Sequence, residues 1–228
     1  METKTEYRCH YCDKTFQREP SLAVHVCEAK KRFQSQNERG VQLGLQAYLQ
    51  FYKMTQGSAK LKSFDDFAAS AYYKAFTKFG RYCVDIKAIN PSRFIDWVLK
   101  QNKKIDHWCR DSIYTEYLIS YMQVEAVDDA LARAIEFGID WQENTGNSAN
   151  DCLRYGNTNA MCYAVTTGRI SPWVIYNSES GQKFLNELTS EQVAIVWPYI
   201  NSDTWKKKFQ DYPADQEYAK DILLKAGW

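Results

Sequence analysis

The stretch CHYCDKTFQREPSLAVHVC, Cys9 to Cys27, limits what this chain can fold into more than any other. Cys9 and Cys12 stand two residues apart, the spacing at which a tight knuckle aims two thiolates at one ion. Phe16 lies four residues after Cys12, Leu22 six after Phe16 and His25 three after Leu22. Phe16 and Leu22 make a core too small to fold a module unaided. In such peptides the metal supplies the folding free energy, about 10 to 16 kcal/mol. The fourth ligand has to be Cys27, two residues beyond His25, because the residue four beyond His25 is Ala29. Two residues along an α-helix turn through about 200°, so the helix must end or widen at His25 for both side chains to meet one ion. If it does not, Cys27 is a buried thiol and the site is incomplete. His10, between the knuckle cysteines, reads as exposed.

Through its third ligand the spacing resembles the Cys2His2 zinc-finger family, and it departs from that family at Cys27. The resemblance implies zinc held by Cys9, Cys12, His25 and Cys27. It also implies a helix opening at Arg18-Glu19-Pro20-Ser21, with proline in a first turn and Arg18, Ser21 and Val24 aimed at base edges. Of these only Arg18 reads a base well. One finger covers about three base pairs, so it is better suited to positioning a protein on phosphates, or to binding a protein, than to specific recognition. Lys30, Lys31 and Arg32 follow directly, and they either extend this basic surface or form a charged linker.

A net charge of +1 hides a strong asymmetry. Residues 1–112 carry 20 Lys and Arg against 12 Asp and Glu, whereas residues 113–228 carry 9 against 16. A basic front beside a metal module points to phosphate contacts, and an acidic back would repel nucleic acid and suit a basic protein partner. Solvated helix faces that average differently would give the same split. With 45% hydrophobic residues the chain can bury a sizeable core. Beyond the Cys9–Cys27 stretch, Cys83, Cys109, Cys152 and Cys162 form no secreted-type framework, so a reducing cytoplasm is expected. No run approaches the ~20 apolar residues of a membrane span, and no signal peptide is evident, so no membrane partner is expected.

Apolar spacing and punctuation predict an all-α body in two subdomains after a small N-terminal finger. The expected divisions are 1–36 for the finger and basic linker, 37–140 for a basic helical subdomain and 141–228 for an acidic one. A helix over 41–54 is interrupted early by Gly44, and another runs from the capping box of Ser63 and Asp66 to about Phe79, stopped by Gly80. Asn90-Pro91-Ser92 opens the next. Helices follow over 111–122 and 124–137, the latter stopped by Gly138, and the polar segment 140–157 reads as a loop or hinge. Beyond it Gly168, Ser171-Pro172, the Thr189–Gln192 capping box and Pro213 mark short helices.

No P-loop, Gly-rich dinucleotide turn, HExxH or nucleophile elbow is present in the sequence, so no enzyme is expected, although scattered carboxylates leave a metal-dependent nuclease open. Three segments, NPSRFIDWVLKQNKKIDHW, AVTTGRISPWVIYNSESGQKFL and WKKKFQDYPADQEYAKDILLKAG, are similar in their order of aromatic, basic and apolar residues to the helicase-assembly (helicase-loading) proteins of T-even-like phages. The resemblance spans roughly residues 64–228. It implies a two-subdomain α-helical accessory factor of DNA replication that binds forked and single-stranded DNA, contacts the single-strand-binding protein and places the replicative helicase. The finger is not a feature of that family. A zinc-finger regulator of RNA polymerase or another host protein is the competing reading. On the DNA reading the phosphate contacts are Arg18, Lys30, Lys31, Arg32, Lys74, Lys78, Arg81, Lys103 and Lys104, with Tyr72 and Tyr73 stacking on unpaired bases.

Overall fold

A computed structural model describes residues 6–57 and 61–228. They form two compact units, Met1–Tyr114 and Thr115–Trp228, divided in sequence within a helix. Both are α-helical, and a two-stranded antiparallel element accompanies the first. No described helix is long and apolar enough to cross a membrane.

The first unit opens with β1 (Tyr7–Arg8) and β2 (Thr15–Phe16), Tyr7 opposite Phe16 and Arg8 opposite Thr15. Then come α1 (Glu19–Ala23), α2 (Glu28–Gln34), α3 (Arg39–Gln56), α4 (Phe64–Ala69), α5 (Tyr73–Asp85) and α6 (Pro91–Lys100), with a short 3-10 turn at Ile105–His107; α7 (Asp111–Met122) begins in this unit and runs into the second. Helix α3 runs unbroken through Gly44, and α5 runs unbroken through Gly80, contrary to the stops expected there. These glycines are the seats on which the two helices cross. A Cβ on Gly80 would collide with the carbonyl oxygen of Gly40 and the backbone nitrogen of Gly44, and one on Gly44 would lie 2.7 Å from the carbonyl oxygen of Phe76. Around this crossing the rings of Tyr48, Phe76, Phe79, Phe94 and Trp108 pack edge to face or tilted, with Phe79 5.2 Å from Trp108 and 5.4 Å from Phe94.

The helix expected from Ser63 to Phe79 is two helices. Ser63 and Asp66 do form the capping box, but Ser70 turns extended, and its hydroxyl accepts the backbone N–H of Tyr72 at 3.1 Å. A serine offering its side chain to nearby backbone competes with helix continuation in this way. The carbonyls freed at the end of α4 are taken by Arg32, whose Nη1 donates to Ala68 at 2.7 Å and to Ser70 at 3.5 Å.

The second unit contains α8 (Val127–Thr145), a 3-10 turn at Ala149–Asp151, α9 (Cys152–Tyr155), α10 (Thr158–Thr166), α11 (Pro172–Asn177), α12 (Glu179–Glu187), α13 (Ser190–Ile200), α14 (Ser202–Asp211) and α15 (Pro213–Lys225). Two of its helices, α11 and α13, start where caps were expected: Ser171 accepts from the Trp173 N–H, and Thr189 and Gln192 complete a capping box. The expected loop at 140–157 is instead mostly helical, because α8 continues through Gly138 to Thr145. Gly138 lies under the carbonyl oxygen of Ala149, 2.7 Å from where a Cβ would stand. Trp173, Trp205 and Phe209 form the aromatic centre. Beside it Glu125 is buried against Arg133 at 2.7 Å and accepts the Ser171 hydroxyl at 2.8 Å, while Arg133 Nε donates to the Gly168 carbonyl.

Candidate metal centre and basic groove

The knuckle is a backbone turn. Cys9 N–H donates to the Lys14 carbonyl and Asp13 N–H to the Cys9 carbonyl, both at 2.9 Å, with Asp13 at φ 58. Aspartate tolerates that left-handed conformation better than most residues. Helix α1 ends at Ala23, so His25 and Cys27 leave it in non-helical backbone, and this resolves their two-residue spacing. The donor atoms of Cys9, Cys12, His25 and Cys27 all lie within 4.8 Å of one another, and His25 Nε2 is 3.3 Å from Cys12 Sγ. Two thiolates on a tetrahedral zinc-sized ion stand ~3.8 Å apart, so the cluster has only to contract by about 1 Å to hold one. No other such group of His, Cys, Asp and Glu is found among the described residues.

The thiols show the effect of gathering like charges. The backbone N–H groups of Tyr11 and Cys12 draw the Cys9 thiol below its ordinary value, against the effect of burial. At Cys12 the Lys14 backbone N–H also lowers the thiol, but burial and the neighbouring Cys27 and Cys9 sulfurs outweigh it and leave the thiol raised. A divalent cation among the sulfurs removes that conflict. His10 is exposed, as the sequence implied.

This module has no separate existence from the body. Cys27 is also the N-cap of α2, where its sulfur accepts the Lys30 N–H at 3.4 Å. The Tyr11 ring lies 5.3 Å from Phe33 on α2, and Phe33 lies 5.5 Å from Phe64 on α4. One of the four residues that could hold a metal, Cys27, therefore starts the helix that carries Lys31 and Arg32.

Those two residues help to line a depression of about 690 Å³. One wall is a single face of α2, with Glu28, Lys31, Arg32 and Ser35 at helical spacing. The other is a single face of α5, with Lys74, Thr77, Lys78, Arg81 and Asp85, and Tyr73, Tyr82 and Cys109 complete the lining. Five cations thus face two carboxylates. Arg81 is held by Glu38 at 2.8 Å, but Lys31, Lys74 and Lys78 have no carboxylate partner among the described residues. Tyr82 donates to Asp111 at 3.0 Å, and burial followed by that hydrogen bond raises its phenol far above the ordinary range. Burial raises the Cys109 thiol, and Lys78 opposes it.

Of the expected phosphate contacts, the fold gathers Lys31, Arg32, Lys74, Lys78 and Arg81, and it leaves Arg18, Lys30, Lys103 and Lys104 outside the groove. Lys30 Nζ donates to the His25 carbonyl at 3.3 Å. Two of these side chains are engaged within the unit. Tyr73 is 6% exposed, packed 4.7 Å from Phe67 and under the Arg32 guanidinium at 4.6 Å, so it cannot stack on a base. Arg32 is engaged by the end of α4 and that ring, so it shapes the wall rather than standing free. Tyr72 remains 54% exposed at the start of α5. The lining residues Glu28, Ser35, Thr77 and Asp85 were missed, although their spacing from the basic residues on the same helix faces could have found them.

Comparison with protein-family models, curated proteins and solved structures finds no match to this chain.

Proposed function

We propose that the protein is a zinc-stabilised, non-enzymatic nucleic-acid-binding factor whose first unit grips single-stranded or forked DNA in the groove between α2 and α5. Three sulfurs and one imidazole in tetrahedral reach suit zinc, which in a closed four-ligand site supplies folding energy and no reaction. The observation that carries the reading is the groove itself, where Lys31, Lys74 and Lys78 line one depression without carboxylate partners. Like charges gathered without partners cost free energy unless an external anion accepts them. From Lys74 to Arg81 the α5 wall rises about 10 Å, the axial span of about three nucleotides in a B-form strand. Tyr72, exposed just before α5 and outside the groove lining, can stack on an unpaired base that leaves the groove, an interaction contributing about 1 to 3 kcal/mol.

Fluorescence anisotropy with labelled single-stranded, forked and blunt duplex oligonucleotides across a salt series tests this. Single-stranded and forked DNA should bind more tightly than the duplex, with affinity falling steeply as salt rises. Equal affinity for all three, or none at low salt, removes the proposal. The narrower role of loading a replicative helicase beside a single-strand-binding protein rests on the sequence resemblance, and helicase stimulation on forked DNA tests it separately. Strand cleavage in the presence of a divalent cation would instead identify a nuclease.

A further inference from the structure

Helix α13 has the sequence SEQVAIVWPYI, apolar on almost every face. A helix of that kind is expected to be buried all round. Here Val196, Tyr199 and Ile200 face inward, while Val193, Ala194, Ile195, Trp197 and Pro198 are exposed, Ile195 by 57% and Trp197 by 42%. Gln192 donates to Asn159 of α10 at 2.7 Å, and one turn beyond Asn159 stands Tyr163, 67% exposed. A contiguous apolar surface with an aromatic border is the usual mark of a protein-binding site.

The charges around it narrow the partner. The unit carries 9 Lys and Arg against 16 Asp and Glu, and Glu191 lies on the exposed arc one turn before Ala194 and Ile195. A backbone N–H, then the Thr189 hydroxyl, hold the Glu191 carboxyl below the ordinary range, so it is anionic at neutral pH. Pro198 has no N–H, so the Ala194 carbonyl loses its usual donor four residues on and keeps capacity as an acceptor. The surface therefore offers apolar contact, negative charge and an acceptor. A second copy of the same face would set acid against acid.

We propose that the outer face of α13, with Tyr163, docks a helical segment of a basic partner protein that presents apolar side chains flanked by Lys or Arg. The site is independent of the nucleic-acid groove. Fluorescein-labelled amphipathic peptides of about 18 residues, five helical turns, built from Leu and Lys or from Leu and Glu, probe it on the full chain. The Leu/Lys peptide should bind at least tenfold more tightly than the Leu/Glu peptide, and the double variant Ile195→Ser/Trp197→Ala should weaken it at least tenfold. Should that variant fail to melt like the parent, Ile195→Lys, which adds charge at the most exposed apolar position of the helix, should produce the same loss. Absence of Leu/Lys binding, or binding that the variants leave unchanged, overturns the proposal. Light scattering that shows the parent self-associating through this face, with the variants monomeric, also overturns it and assigns the face to a second copy.

Discussion

The two units are of equal length and opposite charge, and they differ in how many cations each has and in where the unpaired ones gather. In Met1–Tyr114 there are 20 Lys and Arg against 12 Asp and Glu; in Thr115–Trp228 there are 9 against 16. The acidic unit pairs five of its nine cations internally, Arg133 with Glu125, Arg154 with Glu179, Lys183 with Glu187, Lys220 with Glu217 and Lys225 with Asp221, while Arg169, Lys206, Lys207 and Lys208 have no carboxylate partner among the described residues. The basic unit leaves Lys31, Lys74 and Lys78 unpaired along one groove. In the first unit unpaired cations thus gather along one groove, whereas the second unit turns apolar surface outward at α13. The first unit also gathers four soft ligands that the second lacks.

The sharpest way to break this contrast is to remove the metal. Chelation, or Cys12→Ser, withdraws up to about 10 to 16 kcal/mol of metal-binding free energy. Because Cys27 caps α2 and Tyr11 packs on Phe33, the loss should spread into the first unit. Hydrogen exchange should show α2 losing protection while the helices of the second unit keep theirs. Unchanged protection of α2 would mean that the ligand cluster is not a structural site.

The second unit has its own single point of failure, at Glu125. Arg133→Met leaves a buried carboxylate without its partner, and loss of one member of a buried pair costs about 3 to 5 kcal/mol. Burial already raises Glu125 above the ordinary carboxylate value, with Arg133 opposing, so the variant should raise it further. With the folded value above the unfolded one, protonation favours the fold. The variant should regain stability below the ordinary carboxylate pKa and lose it as pH rises through the raised folded value. Denaturant melts of parent and variant across acid pH check this, and a deficit independent of pH would refute the assignment to Glu125.

The glycines divide what the sequence could show from what it could not. The cap-marked starts at Ser63, Asn90, Ser171 and Thr189 were legible because a cap is a contact between residues close in sequence. Gly44, Gly80 and Gly138 were read as an interruption or stops and are instead places where another backbone approaches. A glycine that ends a helix and one that admits a neighbour look alike in one dimension. The four metal ligands were legible because their types and spacing demand one geometry. Half the groove was legible on α5, but not that Arg32 and Tyr73 would be engaged by the break after α4, since that break depends on Ser70 and on residues distant in sequence. Gly80→Ala tests the close approach: forcing a methyl against the Gly40 carbonyl should cost about 3 kcal/mol in the first unit. A variant as stable as the parent would show that α3 and α5 can part without penalty.

The smallest effect on stability should accompany the largest effect on binding, and it separates residues that build the groove from residues that serve it. Arg32→Ala removes the donor to the Ala68 and Ser70 carbonyls and the cation over Tyr73, so it should cost about 1.5 to 3 kcal/mol, as expected for hydrogen bonds to a charged group. Lys74→Ala with Lys78→Ala removes two exposed ammonium groups that have no carboxylate partner, so the melting temperature should stay where it is. On single-stranded DNA the same pair should flatten the slope of log affinity against log salt by about 0.7 per contact, because each neutralised phosphate no longer releases its counterions. The test is one salt titration and one thermal melt on each variant. If the lysine pair melts early, or binds with the parental slope, these lysines belong to the fold and the groove is not the phosphate track. If Arg32→Ala alters the slope without altering the melt, the division between wall and contact is reversed.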